Sequence, residues 1–490
     1  MGYSSMKTLR NLTFCAHGAN PHVKPSVCRN VFIGFVGVFL AIAPCGASAE
    51  ILLNREGLAE DVHILRRAME HLHPGLYRFN TPGGIESAFR ELEQDFSKPR
   101  TLRDAFLALS RFTAKVRCGR TYPSFFNQSE SVDRELFGGA RKLPFLFRWE
   151  SGRMIVTASL DEQLKPGDEI EQINGVRAAD LGRRLLAYVK ADGSNDANRW
   201  AQLELTGMHD HEAFDIFQPL LLPPEGDGYR VIVGEDGPGY TLHPVARRAA
   251  PGAKEQWSYE VLDGQLAHLR MGTFDIYDGK FDWKGFLAEA FDNMKRRGVR
   301  HVALDVRGNA GGAAEVLVEL AKYIVWQPAV MPGVQRLVRY EVVPEELRPF
   351  LSASDSGFFD LRGKMKSAVG GLFLYDDAER EALVPSPHAL IANYYLLVDG
   401  HNSGEAFMLA QFLQENKLAT LVGAMTGGNQ RGINGGQFFF LKLPNSGIEI
   451  DIPIVASVPL DAKPDAGLQP DVRVAPEGAL AAARRLAARN

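Results

Sequence analysis

Cysteine is scarce in this 490-residue chain: there are four, and Cys15, Cys28 and Cys45 all fall within the first 49 positions. Cys118 is left alone downstream, so no internal disulfide braces the body of the chain. With no CxxC and no paired Cys/His spacing, a zinc site of the usual kind is excluded. Charge of one sign is lacking too. The net charge is −4, so no basic field favours nucleic acid, and no acidic tail is present. No apolar run reaches the ~20 residues that a bilayer-spanning helix needs. Repeats and low-complexity tracts are also missing. What remains is 45% hydrophobic and 23% charged residues, an ordinary globular balance in a chain long enough for two or three domains.

The N-terminus departs from that average. Lys7, Arg10, Lys24 and Arg29 precede an apolar stretch, Val31 to Ala43, which ends in Gly-Ala-Ser-Ala-Glu. A basic region, a short apolar run and the small-x-small pattern Ala47-Ser48-Ala49 predict a signal peptide over 1–49, cleaved near Ala49. The expectation is an exported protein, periplasmic or extracellular, touching membrane only through this segment if it stays uncleaved. An uncleaved anchor or a start at Met6 is the competing account. Pro44 beside Cys45 argues against a lipoprotein signal.

Hydrophobic periodicity then divides the chain. Leu58, Val62, Leu65, Met69 and Leu72 recur at three- and four-residue spacing, and 101–116 repeats the pattern, predicting a helical region over 50–135. From 136 to 255 the period shortens. "LPFLFRW" and "RMIVTASL" read as strands, Pro166-Gly167-Asp168 as a turn, and Asn174-Gly175 as a hairpin turn. Over 256–475 strands alternate with helices: "GQLAHLRMGTF", a helix from 282, "VRHVALDV", a helix from 313, "NYYLLVDG", a helix over 403–416, then "LATLVG". That order predicts an α/β domain with a mainly parallel sheet. Residues 327–392 read as a polar insertion, a lid or an embellishment, and 476–490 as a tail. The arms of "QFFFLKL-PNSG-IEIDIPI" alternate as a hairpin.

Three stretches carry chemistry. "DVRGNAGG", Asp305 to Gly312, follows a strand and opens a helix, so its glycines permit a sharp turn that aims N–H groups at an anion or oxyanion. It fits neither phosphate-loop nor dinucleotide spacing, and an ordinary tight turn explains it equally. Ser403 stands at the start of a helix after a strand, where a nucleophile would meet ligand beyond the carboxyl edge of the sheet. Asn402-x-x-Glu405 also fits a capping box, in which these polar residues only close a helix end. The run His209-Asp210-His211-Glu212 has ligand-type side chains, but histidines two apart on a short segment are usually solvated. Neither metal nor cofactor is expected.

Taken in order, "DVRGNAGG", the strand–Ser403–helix unit, "ATLVGAMTGGNQRG" and "GLQPDVRV" resemble the C-terminal processing, or tail-specific, serine protease family. The phrase "LKPGDEIEQINGV" upstream looks like part of a PDZ domain, also a feature of that family. The resemblance covers about 135–475. It implies an α/β core of the ClpP/crotonase β-α superhelix kind, with a PDZ-like β-rich module and an N-terminal helical region. It further implies a peptide or protein substrate and acyl-enzyme chemistry: Ser403 as nucleophile, with Gly404 and Gly311 or Gly312 supplying oxyanion N–H groups.

The same resemblance exposes departures. One branch of the family places a lysine where this chain has Asn429, and an amide cannot take the serine's proton. The other branch uses a histidine where "VRCGRTYPSFF" has Arg120. A guanidinium stays protonated and is no base, but it suits a substrate carboxylate. Counting back from Phe407 puts Asn402 at the nucleophile's register. His401 and His73 are the remaining candidates for a base. The expected activity is therefore a serine-type peptidase. Its alternative is a catalytically impaired family member that binds peptides.

Overall fold

The computed structural model describes residues 52–139, 141–209, 211–246, 252–262, 265–277, 279–368, 370–375 and 382–489. The expected signal segment and Asp210 lie outside them.

The helical region begins with Arg55–Leu72, whose N-cap Asn54 accepts the Gly57 N–H, followed by Pro82–Asp95 capped by Thr81. Leu102–Val116 is capped by Thr101, which accepts the Asp104 N–H at 3.1 Å, and it ends at Arg117 with a left-handed φ of 58°. These caps satisfy first-turn donors that a helix cannot satisfy itself.

Five strands form the next layer in the spatial order Phe145–Glu150, Arg153–Ser159, Glu169–Ile173, Tyr229–Val233 and Gly239–Leu242, all antiparallel. Asn174 and Gly175, at φ 45° and 72°, turn the chain from Glu169–Ile173 into Val176–Arg177. Both central residues have positive φ, as a type I′ hairpin requires.

The α/β core is a six-stranded sheet: Trp257–Val261, Leu266–Met271, His301–Asp305, Asn393–Val398, Ala419–Gly423 and Val472–Arg473. All neighbours are parallel except the first pair. Spatial order follows chain order, so right-handed crossovers carry Trp283–Arg296, Ala314–Ile324 and Gly404–Glu415 to one face. Leu269, Leu304, Leu396 and Leu421 point into that helix layer. Ala303, Tyr395, Leu397 and Val422 point the other way, against Ala479–Ala487. The alternation of side chains along a strand thus divides the two layers. The expected C-terminal tail is in large part this covering helix.

The second departure concerns 327–392. Val334–Val338 pairs with Glu449–Pro459, and Leu351–Ala353 with Ile433–Lys442, while Phe373–Tyr375 and Met365–Ser367 extend the same sheet. The expected hairpin, 437–454, lies within the two central strands of this sheet, Ile433–Lys442 and Glu449–Pro459. The segment read as an insertion contributes its flanking strands, which are too short to show a period. Tyr122–Pro123 adds to the outer part of Glu449–Pro459.

Candidate functional site

The strands His301–Asp305 and Asn393–Val398 run side by side and end at the same sheet edge. Their next loops carry the glycine turn and Ser403, which brings the two together. Ser403 is the N-cap of Gly404–Glu415, with extended backbone and no side-chain cap bond. Its hydroxyl instead donates to the Ala310 carbonyl at 3.1 Å.

Asn402 carries the local architecture. Its side-chain amide donates to the Val306 carbonyl at 2.5 Å and the Asn309 carbonyl at 3.1 Å, and its side-chain oxygen accepts the Asp399 N–H at 2.8 Å. Its own carbonyl accepts the N–H groups of Gly427 and Gly428. Fully buried, Asn402 staples three loops together and leaves Ser403 to face the cleft. The capping-box reading fails on both members. The cap is one residue later, and the Glu405 carboxylate reaches the Gly312 N–H at 3.0 Å rather than its own helix start.

That bond also corrects the expected oxyanion donors. Gly312 gives its N–H to Glu405, and Gly311 gives its N–H to the Asn309 side chain at 2.8 Å. Both glycines serve the turn: φ is 101° at Gly311 and 146° at Gly312, and a Cβ on Gly312 would overlap the Phe274 carbonyl group. Gly404 differs. It opens the helix, where an N–H has no intrahelical acceptor, and its φ of 53° favours glycine. A Cβ there would fall 2.5 Å from the Arg120 guanidinium, so this cation stands directly over the helix start.

Ser403, Ala310, Arg120 and His401 line one cavity of about 230 Å³, together with Lys190, Asp192, Glu204 and Glu212. His401 lies between carboxylates, with Nδ1 3.5 Å from Asp399 and Nε2 3.8 Å from Glu204. Burial opposes its charge, but Asp399 and then Glu204 outweigh burial and push it up to about 9. His401 is therefore an imidazolium at neutral pH, which corrects its candidacy as a base. Glu204 is pushed up to about 7, chiefly by burial.

His73 is not part of the cavity lining. It is fully buried, its Nδ1 accepts the Gly75 N–H at 3.1 Å, and its Nε2 lies 2.8 Å from the Thr121 hydroxyl. Burial, with Arg78 nearby, holds it down to about 3. It is neutral, but both nitrogens are engaged in holding the 73–75 and 121 segments. Asn429 is likewise structural, binding the Asp192 carbonyl at 3.1 Å and the Asp465 carboxylate at 2.7 Å. Glu212 spends its carboxylate on Thr206 and Gly207.

Lys190 is the residue that sequence reasoning missed. Its ammonium rests on the Tyr122 ring, 3.1 Å from the centroid. Burial first, then the positive charge of Arg120, depress its pKa. Nothing in "YVKADG" marks it, since a lysine just after a helix reads as solvated.

The sequence model of peptidase family S41 matches residues 265–474. No curated protein matches the sequence. Among solved structures, mature CPAF complexed with lactacystin is similar at a TM-score of 0.60 and 13% identity, over 88% of this chain and 97% of that one. A CPAF mutant gives 0.59 and 14%, over 87% and 94%, and mature CPAF 0.57 and 13%, also over 87% and 94%. At such identity the likeness is one of fold. Residues 265–474 thus match the model of peptidase family S41, within a chain whose fold is that of the CPAF structures.

Proposed function

We propose that the chain captures peptide or protein segments in the Ser403 cleft and hydrolyses them slowly. The observation that supports this reading is the partner of the Ser403 hydroxyl. It is a backbone carbonyl, which cannot take a proton, and the neighbouring side chain is the permanently charged Arg120. A serine nucleophile needs a base within about 3 Å. His401 is already protonated and His73 is engaged elsewhere. Gly404 and Arg120 are still well placed to stabilise negative charge on a bound carbonyl oxygen.

A second reading, prompt serine-type hydrolysis, is favoured by Lys190, an amine of depressed pKa in the same cavity. There Ser403 Oγ attacks the peptide carbonyl carbon while neutral Lys190 takes its proton and passes it to the leaving amine. A fluorophosphonate probe separates the two. Capture with slow turnover predicts slow labelling in wild type that falls to background in Ser403→Ala, with peptide binding retained in both. Rapid labelling that needs Ser403 and Lys190, and rises with pH as the amine loses its proton, overturns it. Arg120→His should raise labelling under either reading if the rest of the site is assembled.

Export belongs to the same proposal. The basic stretch, the short apolar run and Ala47-Ser48-Ala49 support removal of 1–49. N-terminal sequencing of the secreted form should read from Glu50; a chain retaining residues before Glu50 would reject cleavage at this site. The PDZ-like reading of 136–255 is supported by the "GDEIEQING" phrase on its strand and turn.

A further inference from the structure

The cavity beside Ser403 holds two cationic side chains that peptide hydrolysis alone does not require. Arg120 and Lys190 both line it. Among the described residues neither has a carboxylate at ion-pair distance. Lys190 leans on an aromatic ring and Arg120 on the backbone of Gly404. The nearby acids have other work: Asp192 accepts the Gly119 N–H at 2.9 Å, and Asp451 accepts the Asn127 amide at 3.2 Å. Asp192 and Asp451 act on Lys190 only from beyond ion-pair distance, so the repulsion between the two cations is incompletely offset and is relieved further when an anion enters. The start of the twelve-residue helix Gly404–Glu415 adds its partial positive charge and the Gly404 N–H at the same spot.

We propose that this cavity binds a carboxylate of the peptide between Arg120 and Lys190, either a free C-terminus or an aspartate or glutamate side chain. The proposal rests on peptide binding at the Ser403 cleft. Arg120 receives the carboxylate through its planar fork and Lys190 as a point charge. The shared chemistry is a carboxylate; an uncharged amide of the same shape leaves both cations unmatched.

Binding is linked to protonation. Lys190 is faced by Arg120, Asp192, Cys118, Tyr122 and Asp451, and the opposite wall presents Glu204, Glu212 and His401. Burial and Arg120 lower the Lys190 pKa, whereas an arriving carboxylate favours the ammonium. A proton is therefore taken up whenever the free amine is neutral, and affinity falls as pH rises through the Lys190 pKa.

The test uses the chain from Glu50 onward, equilibrated by dialysis with pooled N-acetyl tetrapeptides of random sequence and analysed by mass spectrometry. One pair of pools differs only in a C-terminal free acid or amide. A second pair, all amides, carries aspartate or asparagine at a fixed internal position. The expected result is at least tenfold preference for the carboxylate in one pair, which also identifies its source. Arg120→Met and Lys190→Met should each abolish the preference, while Arg120→Lys and Lys190→Arg keep part of it, showing that charge rather than folding is responsible. Equal binding of acid and neutral pools overturns the proposal and leaves the peptide-capture reading intact. Absence of binding by every pool overturns both. Calorimetry of the preferred pool in buffers of different ionisation enthalpy should report proton uptake near the Lys190 pKa.

Discussion

Replacing Asn402 asks how the cleft is held at the scale of one residue. Its amide and carbonyl connect the 306–309, 399 and 427–428 segments, and burial is complete. Asn402→Ala leaves buried carbonyl and N–H groups without partners, at a cost of about 2–4 kcal/mol. Urea unfolding should show the midpoint fall by a corresponding amount, and an unchanged midpoint would refute the staple. Asn402→Ser should lose similar stability and gain no fluorophosphonate labelling, because its shorter side chain cannot reach both carbonyls. His401 gives a prediction with a sign. Its folded value of about 9 lies above the ordinary 6.5, so the imidazolium's contribution is full below pH 6.5 and is lost as pH rises through about 9. That contribution is roughly 3 kcal/mol. The melting-temperature gap between wild type and His401→Gln should be wide at pH 6 and closed near pH 10; a constant gap would reject the charged histidine. In the sequence Ser403 was visible, as were the losses at 120 and 429. The roles of Asn402 and Lys190 were not, because both depend on partners brought near only by folding, at 306, 427 and 451.

At the scale of elements, the glycine turn and the Ser403 helix behave as one unit clamped by Glu405. Glu405→Ala frees the Gly312 N–H and removes a charge-assisted bond, which costs about 2 kcal/mol. Hydrogen exchange over 308–312 should accelerate while the sheet strands remain protected; unchanged exchange there would dismiss the clamp. The parallel strands from Leu266–Met271 to Ala419–Gly423 and their crossover helices were legible because each is long enough to show a period and is bounded by turn residues, whereas Val472–Arg473 is only two residues long. Leu351–Ala353, Met365–Ser367 and Phe373–Tyr375 are three residues long, below the length at which alternation can be read. Leu351–Ala353 and Phe373–Tyr375 exist because the edges of Ile433–Lys442 and of Val334–Val338 offer unpaired N–H and C=O groups, and Met365–Ser367 then adds to Phe373–Tyr375. The helix Ala479–Ala487 was obscured for a different reason. Its run of alanines gives almost no apolar contrast, although Ala479, Ala482 and Ala483 are what lets it lie close on the sheet.

At the scale of the whole molecule, the helical region expected over 50–135 is joined to the rest rather than appended to it. Asp61 accepts the Asn445 and Ser446 N–H groups at 3.0 and 2.9 Å, the Arg339 guanidinium donates to the Glu70 carbonyl, and Tyr122 and Pro123 pair with Asp451 and Ile450. One hydrophobic cluster runs through these helices, the antiparallel layer and the hairpin sheet. Phe439, Leu441, Ile450, Ile452 and Ile454 are buried in it. Cutting away the first part of the chain would expose those five side chains. At about 2 kcal/mol each, that is on the order of 10 kcal/mol, comparable with the entire stability of an ordinary domain. A fragment over 256–490 should therefore be insoluble or lack a cooperative transition, although it contains the whole stretch matched by the peptidase family. The chain from Glu50 should melt in a single calorimetric transition. The same segment brings Arg120 to the Ser403 cleft, so anion recognition should vanish together with folding when it is removed. A soluble, cooperatively melting 256–490 fragment would show that the shared core is dispensable.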